Sequence, residues 1–228
     1  MNKEVIIALD FPNKEETYKF LKNFPTDIYI KVGMELFYKE GFSFVKELKD
    51  QGYKIFLDLK LYDIPVTVQK ALLNLKELEV ELLTIHLSGG EDMLSLASEV
   101  FANSSTKLLG VTLLTSLDVT QTIKTDYSKE EVLINLVEKA RNSQIPGIIC
   151  SAQDLGELIA KFPELIYITP GIRNQSDNKN DQKRVVTPRD AGKLGSDAIV
   201  VGRSITQSKN PYEMYLQMKK EFQGEDNE

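Results

Sequence analysis

The chain has 228 residues, 42% hydrophobic and 27% charged, enough for one large α/β domain. A formal charge of −6 argues against a nucleic-acid partner, which needs a dense Lys/Arg face, but leaves room for a small anion held in one cleft. No apolar run approaches the roughly 18–20 residues of a membrane span, and one cysteine (Cys150) and one histidine (His86) exclude an internal disulfide and a His/Cys metal cluster, although not an oxygen-ligand Mg²⁺ site.

The chain opens on Val5–Asp10, an apolar stretch too short for a signal peptide that reads as a strand. With the lone cysteine, this makes a reducing, cytoplasmic location the expectation. A helix over Lys14–Leu21 follows, then a strand over Ile28–Gly33 and a helix over Glu35–Lys49, with Leu36, Val45 and Leu48 on one face. The alternation continues with strand Lys54–Lys60 and helix Val66–Leu78, then strand Leu82–Leu87 and helix Asp92–Phe101. Strand Lys107–Leu114 precedes helix Glu130–Arg141, whose inner face carries Val132, Leu136, Val137 and Ala140. Strands Gly147–Cys150, Ile166–Gly171 and Ala198–Gly202 lead into helices Gln153–Lys161, Pro188–Leu194 and Pro211–Phe222. Thr187-Pro188 and Asn210-Pro211 each read as an N-cap followed by proline at the first helical position.

Eight strand–helix units predict an all-parallel sheet closed into a (β/α)8 TIM barrel, a single domain over residues 1–228. A doubly wound open sheet would carry a glycine-rich turn after its first strand; this chain has Leu9-Asp10-Phe11-Pro12-Asn13. Two connections are long: Thr115–Lys129 and the polar Arg173–Thr187, which has the composition of a lid. Both follow strand ends, the face on which barrels carry active sites. The tail Gly224–Glu228 is polar and uninformative.

Charges inside strand patterns are the informative residues. Asp10 ends the first strand, Lys31 sits in Ile-Tyr-Ile-Lys-Val-Gly, and Asp58 and Lys60 stand two apart, which predicts one shared strand face. Asp63 follows just beyond. Each alone has a bland reading, since a strand-end lysine snorkels to water and a strand-end aspartate caps the next helix. Four of them at the ends of the first three strands form an expensive array to bury, and stability alone is a poor reason to keep it. A network facing one pocket is the better account. A phosphate site reads separately at Val200-Val201-Gly202-Arg203, where Gly202 admits an anion close to the backbone and Arg203 offers a fork of donors. Arg173 adds a second guanidinium from strand seven. Cys150 reads as a small core residue, and His86 as either a structural hydrogen-bonding group or a neighbour of a charge.

The run Asp58-Leu59-Lys60-Leu61-Tyr62-Asp63-Ile64-Pro65 resembles the Asp-x-Lys-x-x-Asp-Ile-Pro signature of the orotidine 5′-phosphate (OMP) decarboxylase family. Leu9-Asp10, Lys31-Val32-Gly33, His86-x-Ser88-Gly89-Gly90, Leu114-Thr115-Ser116, Pro170-Gly171-Ile172-Arg173, Asp181-Gln182-Lys183-Arg184 and Val201-Gly202-Arg203 resemble further family segments in family order, across nearly the whole chain. Tyr62 and Val66 depart from the usual His and Asn. The resemblance implies a cofactor-free conversion of OMP to UMP in pyrimidine biosynthesis. Lys60 would protonate C6, Asp58 would lie beside the departing carboxylate, and Lys31 and Asp63 would complete an alternating array. Asp63 and Thr67 would reach into the partner's site, which implies a homodimer. Asp10 and Lys31 would meet the ribose, Thr115 and Ser116 the pyrimidine, and Gln182 both base and phosphate; Gly202, Arg203 and Arg173 would hold the phosphate. Two rivals are a Mg²⁺-dependent sugar-phosphate decarboxylase or aldolase of the same superfamily, expected to carry Glu in place of Lys31, and an inactive nucleotide-binding barrel.

Overall fold

The computed structural model describes residues 3–113, 127–174 and 186–225. Its eight strands form one closed parallel barrel in the order β1 to β8, as the alternation of strand and helix predicts. They are β1 (Glu4–Ala8), β2 (Tyr29–Gly33), β3 (Lys54–Leu61), β4 (Leu82–His86), β5 (Lys107–Val111), β6 (Gly147–Ile149), β7 (Ile166–Thr169) and β8 (Ala198–Val201). Residue contacts gather into two compact units, Met1–Asp58 with Ile168–Glu228, and Leu59–Tyr167.

In the first unit β1 pairs with β2 and β8, β2 with β3, and β7 with β8. Val5, Ile6, Ile7, Ile30, Val32, Ile199 and Val201 are fully buried, because strands covered on both faces need continuous rather than alternating apolar residues. The helices are α1 (Lys14–Leu21) and α2 (Met34–Asp50), the latter kinked at Gly41, which adopts φ 75°. Later in the chain come α7 (Pro188–Lys193), the single turn α8 (Arg203–Thr206) and α9 (Pro211–Gln223). The two proline starts behave differently. Thr187 caps α7 by accepting the Asp190 amide at 3.1 Å. Asn210 occupies the expected cap position of α9 but makes no cap bond; its side-chain amide donates instead to Glu213 at 2.8 Å.

In the second unit β4 pairs with β5 and β5 with β6. Its helices are α3 (Pro65–Lys76), α4 (Gly90–Phe101), α5 (Lys129–Asn142) and α6 (Leu155–Lys161). Helix α3 buries Val68, Leu72 and Leu75 and packs on α4, which buries Met93, Leu94 and Ala97. Ser128 and Glu131 close a reciprocal capping box on α5. Close strand packing depends on small residues: a Cβ at Gly147 would come 2.5 Å from Leu109 Cδ2.

Candidate active site

The first unit assembles a cation between two carboxylates. Lys31 Nζ lies 3.3 Å from Asp10 Oδ1 and 3.7 Å from Asp58 Oδ2. Strand register explains the second contact, since Gly33 on β2 stands opposite Asp58 on β3. A Cβ at Gly33 would sit 3.2 Å from Lys31 Nζ, so a side chain there would crowd the ammonium by a few tenths of an ångström. The expectation of uniformly buried charges is corrected here. The Lys31 and Asp58 side chains are 13% and 12% exposed, whereas that of Asp10 is 67% exposed. Strand β1 stops at Ala8; Leu9 still donates to Lys31 O at 3.0 Å, and Asp10 lies past the ladder in solvent.

The other edge of Asp10 meets β8. A Cβ at Gly202 would stand 3.6 Å from Asp10 Oδ2 and 3.6 Å from Ala8 Cβ, ordinary contact distances, so packing does not itself demand glycine there. Arg203 follows as the exposed first residue of α8. Arg173 is half-buried, and its backbone N–H donates to Val186 O at 3.1 Å beside an Ile172–Val186 bridge, which ties together the chain on either side of residues 175–185.

The second unit carries Lys60, half-buried near the end of β3. Its φ of 48° lies in the left-handed region, which costs a non-glycine residue about 1–3 kcal/mol and persists only where the surroundings impose it. Lys60 remains within β3 but departs from extended geometry, so period two alone does not fix the direction of its side chain. Its N–H donates to the hydroxyl of Thr84 on β4 at 2.8 Å. His86, two residues along β4, accepts the Ser88 amide through Nδ1 at 3.2 Å and lies 5.7 Å, ring to ring, from Tyr62. Burial, and then the nearby Lys60 ammonium, hold the His86 pKa below the ordinary imidazole range. Of its two sequence readings both hold: it is hydrogen-bonded, and it neighbours a charge.

Asp63, just before α3, and Thr67, in its first turn, are exposed. Asp63 Oδ1 accepts the Ile64 amide at 2.6 Å, while Tyr62, Ile64 and Val66 around it are 64%, 67% and 52% exposed. Cys150 is buried, and burial pushes its thiol pKa up, as befits an inert core residue.

Residues 3–218 match the model of the Orotidine 5'-phosphate decarboxylase / HUMPS family. The chain belongs to this family. It is 46% identical to the orotidine 5'-phosphate decarboxylase of Ligilactobacillus salivarius over 92% of this chain and 93% of that protein. The enzyme of that name from Latilactobacillus sakei is 44% identical over 98% and 99% of the two chains. The crystal structure of the Lactobacillus acidophilus enzyme superposes with a TM-score of 0.86 at 38% identity, covering 97% of this chain and 99% of that one.

Of the family-derived site residues, the structure brings Asp10, Lys31, Asp58 and Gly202 together in one unit, while Lys60 and Asp63 stand in the other. Thr115, Ser116 and Gln182 lie outside the described residues. Among the described residues no group of three or more His, Cys, Asp or Glu side chains is placed to hold a metal ion, and no helix is long and apolar enough to cross a membrane. Sequence reasoning missed Gly33 and Thr84. The second had a visible signal, a hydroxyl inside the otherwise apolar Leu82-Leu83-Thr84-Ile85.

Proposed function

We propose that this chain converts orotidine 5′-phosphate to UMP without a cofactor, acting in the cytoplasm as a homodimer. The C6–carboxylate bond breaks, CO2 departs, and the electron pair left on C6 takes a proton from the Lys60 ammonium, which solvent then restores. A vinyl-type carbanion has no π-system to delocalise it, so stabilisation must come from fixed charge. An ammonium held beside C6 both lowers the energy of that charge and supplies the proton. The observation that carries this reading is the Lys60 backbone: a half-buried lysine in left-handed geometry, held by an adjacent strand, in a chain of this family. Lys3, Glu79 and Gln144 share that torsion in turns and connections, whereas Lys60 carries it inside a barrel strand, where retained strain supports a side chain whose direction matters.

The remaining residues take roles around it. Asp58 stands beside the departing carboxylate, and Lys31 links it to Asp10, which faces the ribose with Lys31. Thr115 and Ser116 lie near the pyrimidine, and Gln182 bridges base and phosphate. Gly202 leaves backbone accessible to the phosphate while Arg203 and Arg173 supply positive charge, consistent with the general phosphate site of barrels at strands seven and eight. Asp63 and Thr67 reach into the partner's site, and the exposed apolar Tyr62, Ile64 and Val66 beside them support a contact surface for that partner. Lys31 disfavours the metal-dependent sister activity, which is expected to place a carboxylate ligand there. The deciding experiment follows OMP loss by ultraviolet absorbance with purified protein, with and without EDTA. EDTA-insensitive turnover is expected; no turnover, or turnover that chelation abolishes, overturns the proposal.

A further inference from the structure

The geometry points to Thr84 as a positioning residue for Lys60: its buried hydroxyl fixes the backbone turn from which the reactive ammonium is aimed. The inference rests on the reading of Lys60 given above. Strand β3 is extended up to Leu59 and then, for a single residue, enters the left-handed region at Lys60, with φ 48°. The amide from which that torsion starts donates to a side chain, Thr84 Oγ1, at 2.8 Å, which anchors the peptide plane against which the chain turns. Thr84 is fully buried, so water has no access to replace the hydroxyl. It is also a rigid acceptor. Threonine is branched at Cβ and restricted in χ1, and its main chain is held in register with Leu109 on β5.

The same strand addresses the other end of Lys60. His86 stands two residues beyond Thr84, with its ring fixed by the Ser88 amide and by contact with Tyr62, and it lies within electrostatic range of the Lys60 ammonium. Strand β4 thus meets the Lys60 backbone through Thr84 and places His86 within electrostatic range of its charge. A group that must approach one ring carbon is sensitive to its origin, since a displacement of about 1 Å at a reacting group can lower a rate about 100-fold.

Thr84→Val keeps the shape and removes the acceptor; Thr84→Ser keeps the acceptor. With OMP as substrate, Thr84→Val is expected to lower kcat at least about 10-fold with KM and UMP affinity within about 3-fold, while Thr84→Ser stays within about 3-fold of the parent in all three. A crystal structure of Thr84→Val should show Lys60 φ moved out of the left-handed region. If Thr84→Val does not fold, Thr84→Ala, which also lacks the acceptor but adds no bulk, carries the same expectation. Parent-like kcat in the variant lacking the hydroxyl, or equal losses in the Val and Ser variants, overturns the inference. Lys60→Ala is run in parallel: full activity there removes the underlying reading of Lys60, whereas an inactive Lys60→Ala beside an unimpaired Thr84→Val removes only the role of Thr84.

Discussion

Lys31 holds two carboxylates at similar distances but in different surroundings, which allows exposure and distance to be set against each other. At 3.7 Å from Asp58, with both side chains nearly covered, an effective dielectric of about 20 gives a gross attraction of about 4–5 kcal/mol. At 3.3 Å from Asp10, whose side chain is 67% exposed, a water-like dielectric leaves only about 1 kcal/mol. Desolvation offsets part of the first and little of the second. Double-mutant cycles from Lys31→Met, Asp58→Asn and Asp10→Asn, read by urea denaturation at pH 7, should therefore give a coupling of about 2–3 kcal/mol for Lys31–Asp58 and below about 1 kcal/mol for Lys31–Asp10. Raising the salt to 1 M should erase the second coupling and spare most of the first, because screening acts on exposed pairs. A larger coupling to Asp10, the nearer carboxylate, would refute the reasoning that burial outweighs 0.4 Å.

His86 has a folded-state pKa below its unfolded value, so the unfolded chain binds the proton more readily at mildly acidic pH. Its contribution to stability is complete above about pH 6.5 and is lost as pH falls toward the lower folded-state value. In thermal melts the parent should lose Tm relative to His86→Gln across that window, and parallel curves would contradict this. Arg203→Ala should raise KM for OMP and lower kcat/KM about 10–100-fold, the scale of a lost charge-assisted bond, with a smaller change in kcat; unchanged kcat/KM would remove Arg203 from the phosphate site. Ile64→Asp, placing a charge in the exposed apolar run beside Asp63, should convert a dimer to a monomer in light scattering and abolish turnover. A fully active monomer would dismiss the shared site.

The barrel was readable because its physics is written in side-chain pattern. Fully buried strands such as Val5-Ile6-Ile7 read as continuous apolar runs, and the amphipathic helices between them read by their spacing. The charged residues were found by the same logic, as polar interruptions of apolar strands. What pattern cannot carry is backbone torsion and the point where a ladder stops. Nothing in Asp58-Leu59-Lys60 signals that Lys60 leaves extended geometry, and its amide partner is a hydroxyl 24 residues away on β4. Asp10 looked like a strand-end buried charge only because the apolar run continues through Leu9, one residue past the last paired position. That Gly33 stands opposite Asp58 follows from strand register, which sequence alone does not set.

The central claim concerns a single proton donor, and replacing it tests that claim most directly. Lys60→Ala should lower OMP turnover at least about 10⁴-fold, combining lost electrostatic stabilisation and lost proton transfer, while calorimetry still finds UMP bound within about 10-fold of the parent affinity. Turnover near the parent rate in that variant would contradict the account.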